Sequence, residues 1–437
     1  MLNNNKKFNG TSWKFDVYIY NSDVIQENFQ SNESDSLKAD SFIPTKNILY
    51  FSVDNSISDL CPKAMFKIVD PQYGISNKIR RQNTFLKVEI EKLMDDASDE
   101  PSDQKINLTF LITDYKIVSF SEESITYEIM CELDLSVLLN KTCEYATNPE
   151  KPENPLNIAY EILKQVNYPL YQTEVKVDNS TKRTRWYPPV SDTEINFITY
   201  QNMTVKNALK YLLSITGINC ESPVYLMHNL TDNKSFLSSR THLLRDEWIE
   251  SAPGVTKIQF NFASNMVGPS HNMKFLKTTG DVGGSETSKL LANYTFTKYD
   301  HIKREWDSVT YDRDALDDTL TGFKNDREKS LLRYGNVQND PEFKYEFIPY
   351  SEPFLNDVLR DLDLYSSSVQ FTVDGNLKLD VGEIIMIQEM QNDPSKSEQF
   401  FGLWMISKVR HSFKDQLFKT NIICTRTTFL ENLAIKK

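Results

Sequence analysis

Few side chains of this sequence stand in arrangements that perform chemistry. Its five histidines are scattered, and the two nearest in sequence, His228 and His242, have no cysteine between them that would help to complete a zinc site. The motifs H-E-x-x-H, G-x-S-x-G, Walker A and G-x-G-x-x-G are all absent. The sequence therefore predicts no catalytic residue, no cofactor-binding residue and no metal ligand.

His411 and a group of carboxylates are the remaining candidates for acid and base chemistry. His411 stands beside Arg410 in an alternating segment, where a hydrogen-bonded structural histidine is favoured over a general base. Asp357 and Asp361 share one face of a predicted helix, and Asp363 lies close by. Like charges on a helix face favour a solvated or partner-facing surface over the paired acids of a glycosidase, which need a pocket.

The cysteines and tryptophans are predicted to be structural. The five cysteines are odd in number and far apart, so buried thiols made in a reducing cytoplasm are favoured over disulfides or metal ligands. The five tryptophans are expected to anchor a core or an interface rather than to bind sugars. These residues are Cys61, Cys131, Cys143, Cys220 and Cys424, with Trp13, Trp186, Trp248, Trp306 and Trp404.

Composition and charge point to a globular, strand-rich protein. Tyr (21) and Phe (25) are abundant against 13 Gly, a balance that favours strands. At about 150 residues per domain, 437 residues suggest about three domains. The net charge of −12 disfavours non-specific binding to DNA or anionic membranes. Two basic clusters, 78–82 and 182–186, are expected to be solvated loops or contacts to acidic neighbours, with nucleic-acid binding as the alternative.

Targeting signals are not evident in the sequence. The first residues, MLNNNKKFNGTSW, lack the apolar stretch of a secretory signal. No apolar run approaches the roughly 20 residues that cross a bilayer. We therefore expect neither export through a secretory signal nor a membrane anchor.

Residues 13–133 are dominated by segments in which apolar and polar residues alternate. In the first segment Trp13, Phe15, Val17 and Ile19 fall on one face, as in a half-buried strand. Six such segments can hide their apolar faces only by closing into a barrel or by stacking as a sandwich. The segments are WKFDVYIY, ILYFSVD, AMFKIVD, FLKVEIE, INLTFLI and ITYEIMCEL, connected in part by the polar stretches 28–40 and 94–103.

After residue 134 the apolar period becomes that of helices. Asn154 and Pro155 are predicted to start one helix, and Thr204 is predicted to cap a second helix that ends at Gly217. The predicted buried stripes are Leu156, Ala159, Leu163 and Val166 in the first helix and Val205, Ala208, Leu209, Leu212 and Ile215 in the second. Residues in this part of the chain are therefore expected to form a mixed module.

Alternation returns near the C-terminus. A predicted helix over 353–365 precedes a strand that ends at an Asp374-Gly375 turn, an apolar strand over 384–387 and a closing hairpin within 402–428. A lone hairpin is marginal in water. The terminal strands are therefore expected to complete a second barrel with strands from about 255–300.

Three short patterns mark this terminal block. Gly382-Glu383-Ile384 opens an apolar strand, the pattern Gly-x-aromatic-x-Ile/Val-x-x-Val-x-His follows, and a final strand ends near Arg426. The second pattern is carried by Gly402, Trp404, Ile406, Val409 and His411. In these patterns the block resembles the central baseplate hub protein of contractile-tailed phages, a family that includes the N-terminal region of VgrG spike proteins. The strands of 48–133 and the helix capped by Thr204 also look like their counterparts, so the likeness covers most of the chain.

The resemblance implies a mainly β fold with α+β insertions, in which two tube-type β-barrel domains and a mixed helical module assemble as a homotrimer. On this interpretation residues 1–134 form the first barrel, 135–250 the mixed module, and 251–300 with 366–432 the second barrel. Residues 301–365 form a polar insertion and a helix that completes the module. Three chains with two similar barrels each present six similar surfaces to a six-fold tail tube and keep three-fold symmetry toward a spike.

The implied function is that of a structural, non-enzymatic hub in a phage tail baseplate, present in the virion after assembly in the host cytoplasm. Its expected partners are further copies of itself, the tail tube ring, the central spike and other baseplate proteins. Phage DNA is expected to pass through the lumen without specific binding. The alternative is a tail-associated cell-wall hydrolase, whose site would lie within residues 265–365.

Overall fold

A computed structural model gives the architecture of the chain. The residues that it describes are 6–8, 11–21, 41–79, 83–93, 104–177, 180–184, 186–189, 194–216, 223–243, 256–260, 275–280, 294–300, 305–311, 367–389, 402–414 and 417–425. The largest element is a sheet of 14 strands, which confirms the expected mainly β class. Within the described residues no helix is both long and apolar enough to cross a membrane.

Eight strands of the N-terminal third make up what we call the first strand group. They are β1 (Lys6–Phe8), β2 (Thr11–Asn21), β3 (Ser41–Ile43), β4 (Ile48–Ser56), β5 (Lys63–Pro71), β6 (Thr84–Leu93), β7 (Lys105–Phe120) and β8 (Ser124–Leu133). Their order in the sheet is β1-β2-β6-β7-β8-β5-β4, and β3 pairs with β2. All six predicted strands are confirmed, as β2 and β4 to β8.

Strand β3 connects β2 to β4. This strand pairs with β2 at Val17↔Ile43 and continues through a 3-10 turn, Thr45–Asn47, into β4. The hydroxyl of Thr45 donates a hydrogen bond of 3.0 Å to the carbonyl oxygen of Phe15 on β2. The apolar faces of these strands enclose a core in which the rings of Phe51 and Phe66 lie 4.8 Å apart.

The middle of the chain contains two long helices, Pro155–Gln165 and Val205–Ser214. Both predicted N-caps are confirmed, since Asn154 Oδ1 accepts from the amide of Leu156 at 2.9 Å and Thr204 Oγ1 from that of Asn207 at 3.3 Å. Both predicted stripes are buried. The other elements here are helices Leu135–Leu139 and Arg240–Leu243, and hairpins β9 (Glu174–Val177) with β10 (Ser180–Arg183) and β11 (Val224–Asn229) with β12 (Lys234–Ser239). A short helix, Ser76–Ile79, lies between β5 and β6.

A second strand group consists of six strands from the C-terminal half. They are β13 (Thr256–Phe260), β14 (Phe275–Gly280), β17 (Ser367–Asp374), β18 (Ile384–Glu389), β19 (Gly402–Lys414) and β20 (Leu417–Thr425). The predicted closing hairpin is confirmed as β19 and β20, and β13 pairs with β18 in parallel. Although a turn follows Asp374, β17 pairs with β14 and β20 and not with β18.

Two further strands, β15 (Tyr294–Asp300) and β16 (Glu305–Tyr311), form a separate antiparallel pair. β16 lies within residues 301–365, which the resemblance implies to be a polar insertion and a helix. Three predicted features lie outside the described residues: the rest of that stretch, the helix over 353–365 with Asp357, Asp361 and Asp363, and the polar connections 28–40 and 94–103.

The hairpin β11–β12 separates two hydrophobic cores. Val224, Leu226 and Leu237 pack with the first strand group and the two long helices. Tyr225, Met227 and Phe236 pack with the second strand group. Because the side chains of a strand point alternately to its two faces, both faces of this hairpin are buried, one in each core.

Candidate functional site

The two strand groups meet where β4 pairs with β19. The pairing is antiparallel and runs from Lys408↔Ser56 to Lys414↔Tyr50. Arg410 Nε donates to Asp54 Oδ1 at 2.5 Å across this junction. The long strand β19 therefore has two partners on one edge, β18 over its first residues and β4 over the rest.

The tip of the β19–β20 hairpin enters the first core. The ring of Phe413 stacks on that of Phe15 with centroids 5.3 Å apart, and Phe418 lies 4.7 Å from Trp13. Phe413 is only 4% exposed. The junction therefore combines strand pairing with burial of two aromatic side chains, which stabilises contacts by dispersion and by removal of apolar area from water.

A buried carboxylate connects three parts of the fold next to this junction. Asp380, in the segment before β18, accepts hydrogen bonds from Asn55 Nδ2 of β4 at 2.7 Å and from the amide of Val381 at 2.8 Å. It also accepts from the amide of Leu230, in the turn of the β11–β12 hairpin. Asn55 donates in addition to the carbonyl oxygen of His228 at 2.5 Å.

Burial controls the protonation of this carboxyl group. Asp380 is 1% exposed, and loss of hydration raises its pKa to about 7, although the hydrogen bonds from the two backbone amides and Asn55 oppose that rise. Glu383 adds a smaller repulsion that also raises the pKa. The group that fastens β4, the hairpin and the second strand group to each other is thus sensitive to pH.

Gly382 explains one of the patterns noted in the sequence. Its φ is +81°, a conformation that L side chains rarely adopt. A Cβ at this position would lie 2.8 Å from Met227 Sδ and 2.9 Å from Phe236 Cζ. The glycine is therefore required by the close approach of the β11–β12 hairpin. The amide of Gly382 donates to the carbonyl oxygen of Ile406 at 2.9 Å.

The other pattern residues lie in the second core. Trp404, Ile406, Val409 and His411 are fully buried on β19, and Arg426 lies outside the described residues. His411 Nδ1 lies 3.1 Å from Thr420 Oγ1, and burial lowers the pKa of its imidazole to about 4. This environment is that of a neutral, hydrogen-bonded histidine in a core.

The remaining histidines and cysteines that the structure describes form no metal-binding cluster. His228 Nδ1 lies 2.8 Å from Ser235 Oγ, and burial lowers the pKa of its imidazole to about 3. Of the predicted buried thiols, Cys61, Cys131, Cys143 and Cys424 are confirmed as buried and free. No group of three or more histidine, cysteine, aspartate or glutamate side chains with metal-binding geometry occurs among the described residues. His271, His301, Cys220 and Trp248 lie outside them.

The tryptophans and basic clusters fall at several places. Trp13 is buried in the first core and Trp404 in the second. Trp186 stacks on Tyr171 with centroids 4.3 Å apart, at the edge of the second core. The first basic cluster begins in the helix Ser76–Ile79, and the second begins in β10.

One cavity of about 250 Å³ opens between the first strand group and the helix Val205–Ser214. Asp59 and Lys63, paired at 2.9 Å, line it together with Lys206 and Lys210. Cys61 also reaches it, but burial raises the pKa of the thiol. A protonated thiol is a poor nucleophile, so the cavity offers no reactive group of that kind.

The largest exposed apolar surface of the first strand group is the second half of β7. Tyr115 is 37% exposed, Ile117 47% and Phe120 79%. β6 pairs with β7 only along 105–111, so the edge of β7 that faces away from β8 has no partner along 112–120 among the described strands. We call this stretch the open edge of β7.

Sequence reasoning stopped the strand at Ile112 and missed this surface. The signal that could have found it is the continued apolar content of DYKIVSF, directly after INLTFLI. Ile198, Tyr200 and Tyr211, in the middle part of the chain, are also exposed. Unpaired strand edges with apolar side chains are typical protein-binding surfaces.

Several solved structures are similar to this chain. No protein-family model and no curated protein sequence matches it. A 43 kDa tail protein of prophage MuSo2 from Shewanella oneidensis is similar with a TM-score of 0.49 and 11% identity, over 95% of this chain and 99% of that one. A tail protein from Neisseria meningitidis MC58 is similar with a TM-score of 0.48 and 10% identity, over 94% and 96%. An E. coli component of the type VI secretion system is similar with a TM-score of 0.40 and 10% identity, over 87% and 73%.

Proposed function

We propose that this protein is the structural hub of a contractile phage tail baseplate, a non-enzymatic homotrimer that joins the six-fold tail tube to the three-fold central spike. The observation that carries the proposal is that one chain contains two strand groups with the same pairing scheme. The first group contains the strand order β6-β7-β8-β5-β4, and the second contains β18-β19-β20-β17-β14. Each group is thus a candidate tube-wall unit.

The first group has a distinctive register around its longest strand. Ile112 on β7 lies opposite Cys131 on β8, and a bulge at Thr113 follows. The hydroxyl of Thr113 donates to the carbonyl oxygen of Met130 at 3.1 Å. Met130 is the residue next to Cys131 on β8, so the bulge, its hydroxyl and its acceptor form a local signature.

The second group repeats this signature. Ile406 on β19 lies opposite Cys424 on β20, and a bulge at Ser407 follows. The hydroxyl of Ser407 donates to the carbonyl oxygen of Ile423 at 3.0 Å. The two groups therefore share this register from Ile112 to Ile117 on β7 and from Ile406 to His411 on β19, whereas β7 has a second bulge at Val118 that β19 lacks. The shared register supports a duplicated wall unit within one chain.

A duplicated unit would let a ring of three chains match partners of two different symmetries. A ring of three identical chains has three-fold symmetry, and two similar units per chain give the same ring six similar surfaces. Such a ring matches a six-fold tube on one side and a three-fold spike on the other. The resemblance of the Gly382 and Gly402–His411 patterns to baseplate hub proteins supports the same role, with the tube ring, spike and other baseplate proteins as partners in the virion.

The charge of the chain supports a passive channel. With a net charge of −12, a ring of these chains repels DNA on average, so the duplex slides through the lumen without binding. Mapping of the acidic side chains onto the outer surface of the ring alone would remove this part of the proposal.

Symmetry-resolved imaging of the particle tests the proposed function. The expected result is three copies of the chain in one ring between the tube and the spike, with two wall units from each copy. Light scattering of the purified chain gives a second measurement, for which a trimer is expected. Six copies around the axis, or a chain that stays monomeric and binds neither tube nor spike protein, would overturn the proposal.

A further inference from the structure

The two strand groups differ at one edge. In the second group β4 covers β19 beyond the last residue that pairs with β18, along Lys408–Lys414. In the first group β6 leaves β7 at Leu111, and no described strand covers the open edge beyond it. Within the described part of the chain, β7 therefore lacks the partner that β4 provides for β19.

We propose that β14 of a second copy of this chain pairs with the open edge of β7, as β4 pairs with β19 within one chain. The proposal deepens the trimeric hub and rests on it for the number of copies. Repeated from copy to copy, this contact joins the second strand group of one chain to the first strand group of the next. Such a head-to-tail contact generates a closed ring when its rotation closes.

The choice of β14 follows from its place in the second group. β4 pairs with β5 at Val53↔Ala64, and Ala64 lies opposite Cys131 on β8. β14 pairs with β17 at Thr278↔Val369, and Val369 lies opposite Cys424 on β20. β14 thus corresponds to β4. Its edge away from β17 has no partner in the part of the chain that the structure describes.

The correspondence also fixes the register between copies. Within the chain Arg410 lies opposite Asp54, and His411 lies opposite Val53. Counted from the bulges, Lys116 on β7 corresponds to Arg410 on β19, and Ile117 corresponds to His411. Lys116 lies opposite Glu128 on β8, and Ile117 lies opposite Tyr127. The inferred pairs between copies are Lys116↔Thr279 and Ile117↔Thr278.

The exposure of β7 supports the same contact. Phe413 at the tip of β19 is 4% exposed because it packs against Phe15 of the first strand group. Phe120, which holds the corresponding position at the tip of β7, is 79% exposed. A neighbouring second strand group on this edge buries Phe120 as the first group buries Phe413, and it covers Ile117 and Tyr115 on the same strand. The contact removes three large apolar side chains from water.

A disulfide trap between copies tests the register. In a Cys220→Ser background, Lys116→Cys with Thr279→Cys places two thiols at an inferred cross-strand pair, where the Cα separation suits a disulfide. Mild oxidation is expected to give a non-reducing gel ladder that ends at three chains. The matched control is Asp54→Cys with Arg410→Cys, the corresponding pair within the chain, which is expected to form a disulfide without a ladder. Lys105→Cys with Thr279→Cys, on the covered half of β7, is expected to form neither.

The outcomes separate this inference from the proposed function. A trimer by light scattering that gives no ladder from the Lys116 and Thr279 pair overturns the inference and leaves the hub intact. A ladder that ends at six chains supports the pairing and overturns the trimer. A chain that stays monomeric without cross-links overturns both.

A charge placed in the open edge gives a second measurement without added thiols. Ile117→Lys is expected to lower trimer formation at least tenfold, because a lysine is buried in the contact. The control is Ile198→Lys, which changes another exposed isoleucine, 66% exposed on the middle module, and is expected to leave the trimer unchanged. Unaltered circular dichroism shows that both variants fold. If Ile198→Lys lost the trimer and Ile117→Lys kept it, the contact between copies would not lie at the open edge of β7, and the inference would be wrong.

Discussion

The first and second strand groups share one pairing scheme, but among the strands that the structure describes only the second group has its longest strand covered along both edges. β19 is flanked by β20 on one side and by β18 and β4 on the other, whereas β6 leaves β7 halfway. Corresponding side chains are buried on β19 and exposed on β7. The two sets are Val409, His411 and Phe413 on β19, and Tyr115, Ile117 and Phe120 on β7. Within the described residues, the stretch of β7 without a partner is therefore exposed where the covered stretch of β19 is buried.

The groups also differ at their outer rims. β2 pairs with β6 in antiparallel orientation, whereas β13 pairs with β18 in parallel. The strands around the bulges keep the same register in both groups. The two groups therefore share the central strands around the bulges, whereas the strands at the outer rims differ between the groups.

The largest expected difference is between two variants that each lose an aromatic ring at the tip of a long strand. Phe413→Ala is expected to lower the free energy of unfolding by about 3–5 kcal/mol, because a buried aromatic side chain leaves a cavity. Phe120→Ala is expected to change it by less than about 0.5 kcal/mol in the unassembled chain, since its ring is already in water. Urea denaturation at low protein concentration measures both. Equal losses would mean that the tips are not in contrasting environments, and the comparison of the two groups would fail.

A second contrast concerns two glycines in connections between strands, Gly74 between β5 and β6 and Gly382 between β17 and β18. Gly382→Ala is expected to cost about 2–4 kcal/mol, because alanine opposes the positive φ and its Cβ overlaps Met227 and Phe236. Gly74→Ala is the control, since the nearest atom to its added Cβ is 3.8 Å away. Its cost is expected to stay below about 0.5 kcal/mol. Thermal unfolding of both variants provides the comparison, and a tolerated Gly382→Ala would contradict the close packing of the β11–β12 hairpin.

A third contrast uses pH. Burial raises the pKa of both Asp380 and Asp134 to about 7, so the folded chain keeps protons that the unfolded chain has released above the ordinary aspartate pKa. The contribution of each group to the free energy of unfolding therefore decreases as pH rises from about 4 to about 7. Asp380→Asn and Asp134→Asn are each expected to flatten part of this dependence in denaturation curves recorded across that range.

Asp380→Asn and Asp134→Asn are expected to lower the free energy of unfolding by different amounts. Both oxygens of Asp380 accept hydrogen bonds, so in Asp380→Asn the side-chain amide nitrogen faces a hydrogen-bond donor. The free energy of unfolding is therefore expected to fall by about 1–3 kcal/mol. Asp134 Oδ1 has no hydrogen-bond partner among the described residues, so its replacement is expected to cost less. A larger loss for Asp134→Asn would mean that the carboxyl at the end of the first group, and not the one at the junction, is the structural anchor.

The smallest effects are expected for two surface ion pairs whose basic residues hold corresponding positions, although their acidic partners lie on opposite sides of the long strand. Arg410 pairs with Asp54 across the junction at 2.5 Å, and Lys116 pairs with Glu128 within the first group at 2.6 Å. Double-mutant cycles are expected to give coupling energies of about 0.2–1 kcal/mol for each pair, decreasing with added salt. A coupling above about 2 kcal/mol for Arg410 and Asp54 would show that this pair, rather than strand pairing, joins the groups.

Local features of the fold were predictable from the sequence. Strict alternation marked the six strands of the first group, because each buries one face only. Side-chain chemistry at Asn154 and Thr204 marked the starts of both long helices. The hairpin β11–β12 was missed because Val224 to His228 are all buried, and a segment that is buried on both faces has no alternation to detect.

Long-range features were hidden for a different reason. The repeat between the two groups lies in the register, the bulges and the direction of side chains, while the residue types differ: Val409 corresponds to Tyr115, and His411 to Ile117. No local pattern in the sequence of β4 or of β19 indicates that these two strands pair with each other. Such contacts depend on which edges remain unpaired after each group has formed, and that is a property of the folded chain.

The junction between β4 and β19 also has a consequence for the order of folding. Asp54 and Arg410 are 356 positions apart in sequence, so a ribosome completes β4 long before it makes the strand that covers it. Closure of so long a loop is slow, and an uncovered strand edge invites wrong partners in the meantime. The edge of β4 that pairs with β19 therefore stays without this partner until the C-terminal hairpin has been synthesised.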